Sequence, residues 1–219
     1  MKLLKPLFII LIVKPLVFVA LGLNIINRQN LPRKGPAILA ANHNSHLDTM
    51  VLLALFPINM VHKIRPVAAA DYFFKTRLTS WLSINIFGII PIKRSPLPSE
   101  RSTMFNACHQ ALNNGDILLI FPEGSRGAPE VMSGLKKGLY HLAKEHRECP
   151  VLPVMMRGLG HALPKGTARL VPFNCDVVIG SALEHYTDAD DFIEKMQSQY
   201  KELNKYCIVS TIDDKSGTI

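Results

Sequence analysis

His43 and Asp48, five positions apart in Asn42-His43-Asn44-Ser45-His46-Leu47-Asp48, are the side chains whose types and spacing best suit chemistry. A carboxylate that accepts from one imidazole nitrogen fixes the tautomer and leaves the other nitrogen as a general base. Five residues of unbroken helix would set the two side chains about 140° apart, at about 100° per residue. The pair can therefore meet only if a helix begins between them. Ser45 followed by Asp48, just ahead of the apolar run Thr49–Leu55, predicts a capping box with the helix starting at Ser45. Asp48 would serve equally as a plain cap and dipole partner, with His43 an ordinary loop residue. His43, His46 and Asp48 are also a conceivable metal set, which would suit a metal-dependent hydrolase.

A second stretch, Phe121-Pro122-Glu123-Gly124-Ser125-Arg126-Gly127, follows the strand-like run Asp116–Ile120. Together the two stretches resemble the glycerolipid acyltransferase family. Its first block, Asn-His-x-Ser-x-x-Asp, is met by Asn42, His43, Ser45 and Asp48. Its third, Phe-Pro-Glu-Gly-Ser/Thr-Arg, is met without a gap by Phe121 to Arg126. Looser matches to the second and fourth blocks are Gly88–Arg94 and Val151–Val154. The four blocks keep the family's order and spacing over roughly residues 30 to 160.

The resemblance implies an O-acyltransferase that moves a fatty acyl group from a thioester to the free hydroxyl of 1-acylglycerol 3-phosphate or a related lysolipid. His43 would be the base, oriented by Asp48. The acyl donor would be acyl-CoA or acyl carrier protein, with no further cofactor and no metal. Arg94, Glu123, Gly124, Ser125 and Arg126 would bind the acceptor. A strand ending in such a turn presents backbone amides and a guanidinium, a suitable recess for phosphate. Glu123 makes a poor phosphate ligand; it suits holding Arg94 or Arg126, or bonding a glycerol hydroxyl. A Gly-rich turn with a surface ion pair is the plainer alternative. Lys93 beside Arg94 is a departure from the family pattern, so phosphate binding could shift between the two. Lys136 and Lys137 either extend the positive surface or form a solvated face. Direct attack by the hydroxyl is expected, because neither Ser45 nor Ser125 sits in a Gly-x-Ser-x-Gly elbow. A lipid-binding protein that keeps the fold without turnover is the rival class, although it would have no need of an oriented base.

Charge is uneven along the 219 residues. Residues 1–99 hold twelve Lys and Arg against Asp48 and Asp71, a net +10, whereas residues 100–219 carry −2. A basic amino-terminal half suits a membrane surface or a phosphate-bearing substrate. Nucleic acid is not expected, since basic residues are not interleaved with aromatics. Cys108, Cys149, Cys175 and Cys207 lack metal or disulfide spacing and point to a reducing compartment. The expected location is the cytoplasmic face of a membrane, the inner membrane if the source is bacterial.

These side chains need a scaffold. Apolar runs at 36–41, 66–70, 88–92, 116–121, 151–156 and 169–179 read as strands. Helical patterns lie at 46–56, 73–86, 99–113, 133–146 and 188–205. Their alternation predicts one α/β domain with a mixed, largely parallel sheet flanked by helices. It would occupy residues 29–205, followed by a polar tail at 206–219. Residues 1–28 read as a hydrophobic membrane anchor, re-entrant or interfacial, with lysines at the head groups. Leu7–Val13 and Leu16–Leu23 are each too short to span a bilayer, and joining them would bury Lys14-Pro15. A single tilted span is the alternative.

Overall fold

Apolar runs that do not alternate with polar residues suit strands buried on both faces, and the centre of the molecule is built from them. The computed structural model describes residues 4–70, 80–81, 83–93, 97–100, 103–128, 130–163 and 171–209. The strands are β1 (Gly22–Ile26), β2 (Ala37–Ala41), β3 (Ile64–Ala69), β4 (Ile90–Ile92), β5 (Ile117–Ile120), β6 (Val151–Arg157) and β7 (Asn174–Ile179). They form one seven-stranded sheet in the order β1-β7-β6-β2-β5-β3-β4. Every neighbouring pair is parallel except β6 and β7. The sheet is mixed and mostly parallel, as the alternation of patterns predicts.

Side chains alternate across β2, so Leu39 and Ala41 enter one core while Ile38 and Ala40 enter the other. The first face is covered by α2 (Leu47–Leu55) and by an amino-terminal helix. That helix begins as α1 (Leu4–Phe8) and continues through wider π-type turns at Ile9–Val13 and Leu16–Ala20. The second face is covered by α3 (Asn106–Asn113), α4 (Gly138–Glu145) and α6 (Ala189–Asn204). A short turn of helix, α5 (Leu159–Ala162), follows β6.

Four elements depart from the sequence expectation. β1 lies inside the segment assigned to the anchor and pairs in parallel with β7, so the sheet begins at Gly22. Its five residues extend an apolar run and carry no signal of their own. The helix expected from Ser133 begins only at Gly138, because the Ser133 amide and hydroxyl bind Glu123 and the Lys136 amide binds the Pro122 carbonyl. The helix expected from Ser99 begins at Asn106; Pro98–Glu100 forms a single 3-10 turn in which Glu100 accepts from the Leu97 amide. Cys207 and Val209, placed in the polar tail, are buried, and the Val209 amide donates to Asp176 Oδ2 at 2.9 Å. The helix expected at 73–86 and residues 210–219 fall largely or wholly outside the described residues.

Lys5 also departs from its expected place at the head groups. It is buried, and its Nζ donates to the carbonyls of Ile64 at 2.6 Å and Phe87 at 3.0 Å. Ile9, Val13, Val17 and Leu21 continue this stripe into the core, while Leu7, Ile10, Leu11, Ile12, Phe18 and Val19 stay exposed. No helix among the described residues is long and apolar enough to cross a membrane.

Burial, helped by Arg65, lowers the Lys5 pKa from 10.5 to about 7. The unfolded chain therefore binds this proton more tightly than the native one, so stability should rise with pH from about 7 upward. The four buried thiols act oppositely: burial pushes each to about 12, and stability falls as pH climbs past the ordinary value of 9.0. Between about pH 7 and 9, urea-unfolding free energies of Lys5→Met should lack a rise of up to about 1.4 kcal/mol per pH unit seen in the parent. Equal slopes in the two proteins would show that Lys5 does not titrate in the fold.

Candidate functional site

Parallel sheets place ligands at the carboxyl ends of their strands, and β2, β3, β4 and β5 deliver the candidate residues at that edge. Register forces the meeting. Ala40 of β2 lies opposite Ile120 of β5, so the loops that follow them are neighbours although 80 residues separate His43 from Glu123. At the end of β2, Asn42 extends the sheet with its side chain: Oδ1 accepts from the Met156 amide at 2.7 Å and Nδ2 donates to the Met156 carbonyl at 2.9 Å.

The chain then folds around Asp48. Its Oδ2 accepts from His43 Nδ1 at 2.8 Å, the Asn44 amide at 2.7 Å and the Ser45 amide at 2.9 Å. The capping box is half formed. Asp48 takes the Ser45 amide as expected, but Ser45 Oγ accepts from the Leu47 amide, and regular helix starts at Leu47. Asp48 is fully buried, and its Oδ1 has no hydrogen-bond partner among the described residues. Burial pushes the carboxyl above its ordinary range, while His43 and the two amides pull it back. Three donors on one oxygen require an acceptor there, so the shared proton belongs to His43 Nδ1 and Nε2 is the basic nitrogen. With Nδ1 tied to a buried group, the opposite ring edge faces the cavity that His43 lines.

Phe121 stacks on the imidazole, with centroids 4.1 Å apart and planes inclined by 19°. It opens a tight turn closed by the Gly124 amide and the Phe121 carbonyl at 3.0 Å. Pro122 in second place and Gly124 in fourth suit that turn, and Gly124 has a positive φ of 74°. Glu123 is buried at its centre. Its Oε1 accepts the His43 amide at 2.7 Å, and Oε2 accepts the Ser133 amide and hydroxyl at 2.6 and 2.8 Å. Glu123 thus fixes the backbone of the histidine.

A cavity of about 540 Å³ opens before His43. Glu123, Gly124, Ser125 and Arg126 all line it, with His46, Thr49, Lys93 and Lys136. Val67, Ile92, Met104, Phe105 and Leu139 supply an apolar wall. Arg94 lies outside the described residues. Lys93 is paired with Glu100 at 2.5 Å, which holds that carboxyl below its ordinary range. The two lysines at 136 and 137 divide: Lys136 lines the cavity, whereas Lys137 pairs with Asp190 on the surface at 2.7 Å. Burial, Arg126 and His43 hold the His46 imidazole below its ordinary pKa. Among the described residues no group of three His, Cys, Asp or Glu side chains converges with metal-binding geometry. Asn42 belongs to the first block; Asn44, Ser133 and Glu130, which with it brace the site from behind, are marked by no block or spacing.

A family model described as Acyltransferase matches residues 22–157. A chloroplastic 1-acyl-sn-glycerol-3-phosphate acyltransferase of Arabidopsis thaliana is 27% identical over 182 residues, covering 82% of this chain and 48% of that protein. A protein of the same name from Chlamydomonas reinhardtii is 30% identical over 173 residues, 78% of this chain and 49% of its own. The human alpha form is 26% identical, over 68% of this chain and 50% of its own. The chain therefore spans about half the length of these relatives. The crystal structure of the 1-acyl-sn-glycerophosphate acyltransferase of Thermotoga maritima shares the fold, with a TM-score of 0.71 at 17% identity over 93% of this chain and 79% of that one.

Asp48→Asn keeps the side-chain volume but removes the acceptor charge that fixes the imidazole. In steady-state assays of acyl transfer its kcat should fall roughly 10²–10⁴-fold with both KM values nearly unchanged. Weaker bonds to two buried amides should also lower unfolding stability by about 1–3 kcal/mol. A kcat equal to the parent's would remove Asp48 from the chemistry.

Proposed function

Because the chain belongs to the Acyltransferase family, we propose that it transfers a fatty acyl group from an acyl thioester to the free hydroxyl of 1-acylglycerol 3-phosphate or a close lysolipid. The observation that carries this reading is the His43–Asp48 contact of 2.8 Å opening on the cavity. His43 Nε2 takes the proton of the acceptor hydroxyl as its oxygen attacks the thioester carbonyl. The tetrahedral intermediate collapses with cleavage of the C–S bond, and the imidazolium returns the proton to the departing thiolate. No acyl-enzyme is needed. The donor is acyl-CoA or acyl carrier protein, both of which offer the same thioester.

The cavity suits an amphiphile. Arg126, Ser125 and Lys136 offer donors and positive charge to a phosphate, with Arg94 as a further candidate, while the apolar wall takes a hydrocarbon chain. The names of the relatives, which specify 1-acyl-sn-glycerol-3-phosphate, support this acceptor class. Glu123 fixes the His43 backbone and, from the cavity wall, is placed to bond a glycerol hydroxyl of the acceptor.

The amino-terminal helix is the proposed membrane contact. Its exposed apolar face would lie in the interface of the bilayer, so that the lysolipid need not be extracted into water at about 0.8 kcal/mol per CH₂. Four buried cysteines outside any disulfide fit a cytoplasmic-face location.

The direct test is lipid mass spectrometry after the full chain is incubated, in vesicles, with lysolipids and each acyl donor. Phosphatidic acid should form from 1-acylglycerol 3-phosphate, and His43→Ala should lower kcat roughly 10²–10⁴-fold in a protein that remains folded. Substantial turnover by folded His43→Ala would end the mechanism. Exposed Leu11 and buried Val13 separate the two faces of the helix. Leu11→Asp should leave the melting temperature unchanged but shift the protein from the vesicle pellet to the supernatant on sedimentation. Val13→Asp, which places a charge in the core, should unfold it. Undiminished sedimentation of Leu11→Asp with vesicles would rule against the interfacial reading.

A further inference from the structure

Glu130 occupies a position that glycine would fill more easily. Its φ of 60° lies in the left-handed region, where a residue with a Cβ is held by its surroundings rather than by preference. The surroundings are specific. Its carboxylate, 12% exposed, accepts the Gly158 amide at 3.0 Å on Oε2 and the Gly160 amide at 2.9 Å on Oε1. Asn44 Nδ2 donates to Oε2 at 3.3 Å and to the Met156 carbonyl at 2.8 Å. Arg157 Nη1 donates to the Glu130 carbonyl, and Arg157 Nε to Asn204 Oδ1 at 2.8 Å.

Asn44 stands between His43 and Asp48, and its amide is one of the three donors on Asp48 Oδ2. The segment from Glu123 to Ser133 therefore grips the catalytic loop twice. Glu123 takes the His43 amide, and Glu130 takes the Asn44 side chain while tying it to the turn after β6. We propose that Glu130 is a positioning residue for His43: its carboxylate holds Asn44, and through Asn44 the Asp48 carboxylate, in the geometry that presents the imidazole to the acceptor hydroxyl. The proposal rests on the reading of His43 as the base. Glycine would take this φ without strain, so what holds Glu130 there is its carboxylate, which joins the turn after β6 to the Asn44 side chain. Burial raises the Glu130 pKa, opposed by the Gly158 and Gly160 amides and by Arg157, which agrees with an enclosed group held by its donors.

Glu130→Gly and Glu130→Gln separate this role from a structural one. Glu130→Gly relieves the left-handed φ but leaves the Gly158 and Gly160 amides and Asn44 Nδ2 without their acceptor, so its melting temperature should fall. Glu130→Gln keeps an acceptor oxygen and should stay nearer the parent's. The kcat values are compared at a temperature where both variants are folded. In the full chain, on vesicles carrying 1-acylglycerol 3-phosphate with palmitoyl-CoA, both variants should lower kcat roughly 10- to 100-fold, the scale of a slightly misplaced catalytic group. Acceptor and donor KM should stay near the parent's. The low-field proton resonance of the His43–Asp48 hydrogen bond should broaden or move upfield in both. An unchanged kcat, an unchanged resonance, or a kcat loss matched by a comparable rise in both KM values overturns the proposal. His43→Ala, assayed alongside, distinguishes the failures. If it is inactive while the Glu130 variants run at the parent's rate, only the positioning role falls. If it is active, the base itself has been misassigned.

Discussion

The site depends on one buried oxygen. Asp48 Oδ2 collects the His43 imidazole and two successive amides from a carboxylate with no exposure to solvent. A buried carboxylate is costly unless its charge is met by donors, and here those donors are supplied by the loop it must shape. The start of α2 adds the favourable end of a helix dipole. The constraint runs in both directions: the loop satisfies the carboxylate, and the carboxylate fixes the loop. Two of its three donors are backbone, so the turn does not rely on the imidazole whose tautomer it sets.

The sheet explains why residues so distant in sequence share this site. Adjacent strands lie about 4.8 Å apart, and β2 and β5 are adjacent with their carboxyl ends level. The histidine loop and the Phe121–Arg126 turn thus have no room to avoid each other. Glu123 converts proximity into a hydrogen bond to the His43 amide, and Phe121 converts it into a stacked ring. On the other side of β2, β6 brings Met156 to Asn42 and Asn44. The loop is held from both neighbouring strands while its imidazole faces the cavity.

Much of this was legible in the sequence because it is local or periodic. Continuous apolar runs marked six of the seven strands, and block spacing marked His43, Asp48, Glu123 and Arg126. The misses share a physical cause. Glu130 reaches Asn44 across 86 residues, and no local pattern carries such a contact. The resemblance implies that Glu123 binds the acceptor, and it does line the cavity, but the donors that hold it come from residues 43 and 133, which no local pattern could announce. The same contact explains the late start of α4, since Ser133 is drawn away from helical geometry. β1 went unseen because an edge strand of five residues joins an apolar helix without a break in composition.

Composition also hid the geometry of the amino-terminal helix. Lys5 and the run of leucine, isoleucine and valine around it suggested charges at the head groups and apolar bulk in lipid. Instead, the side chains at 9, 13, 17 and 21 recur every four residues and pack against α2 and the sheet, with Lys5 capping backbone carbonyls at the same buried face. The remaining sides are nearly as apolar. A helix that is hydrophobic all round requires apolar partners all round, and the protein supplies them on one side only. Water is the costly partner for the other, at about 25 cal/mol per Å² of apolar surface. One segment can thus belong to the folded core and still be the proposed contact with the bilayer, because the two roles use different faces of the same turns.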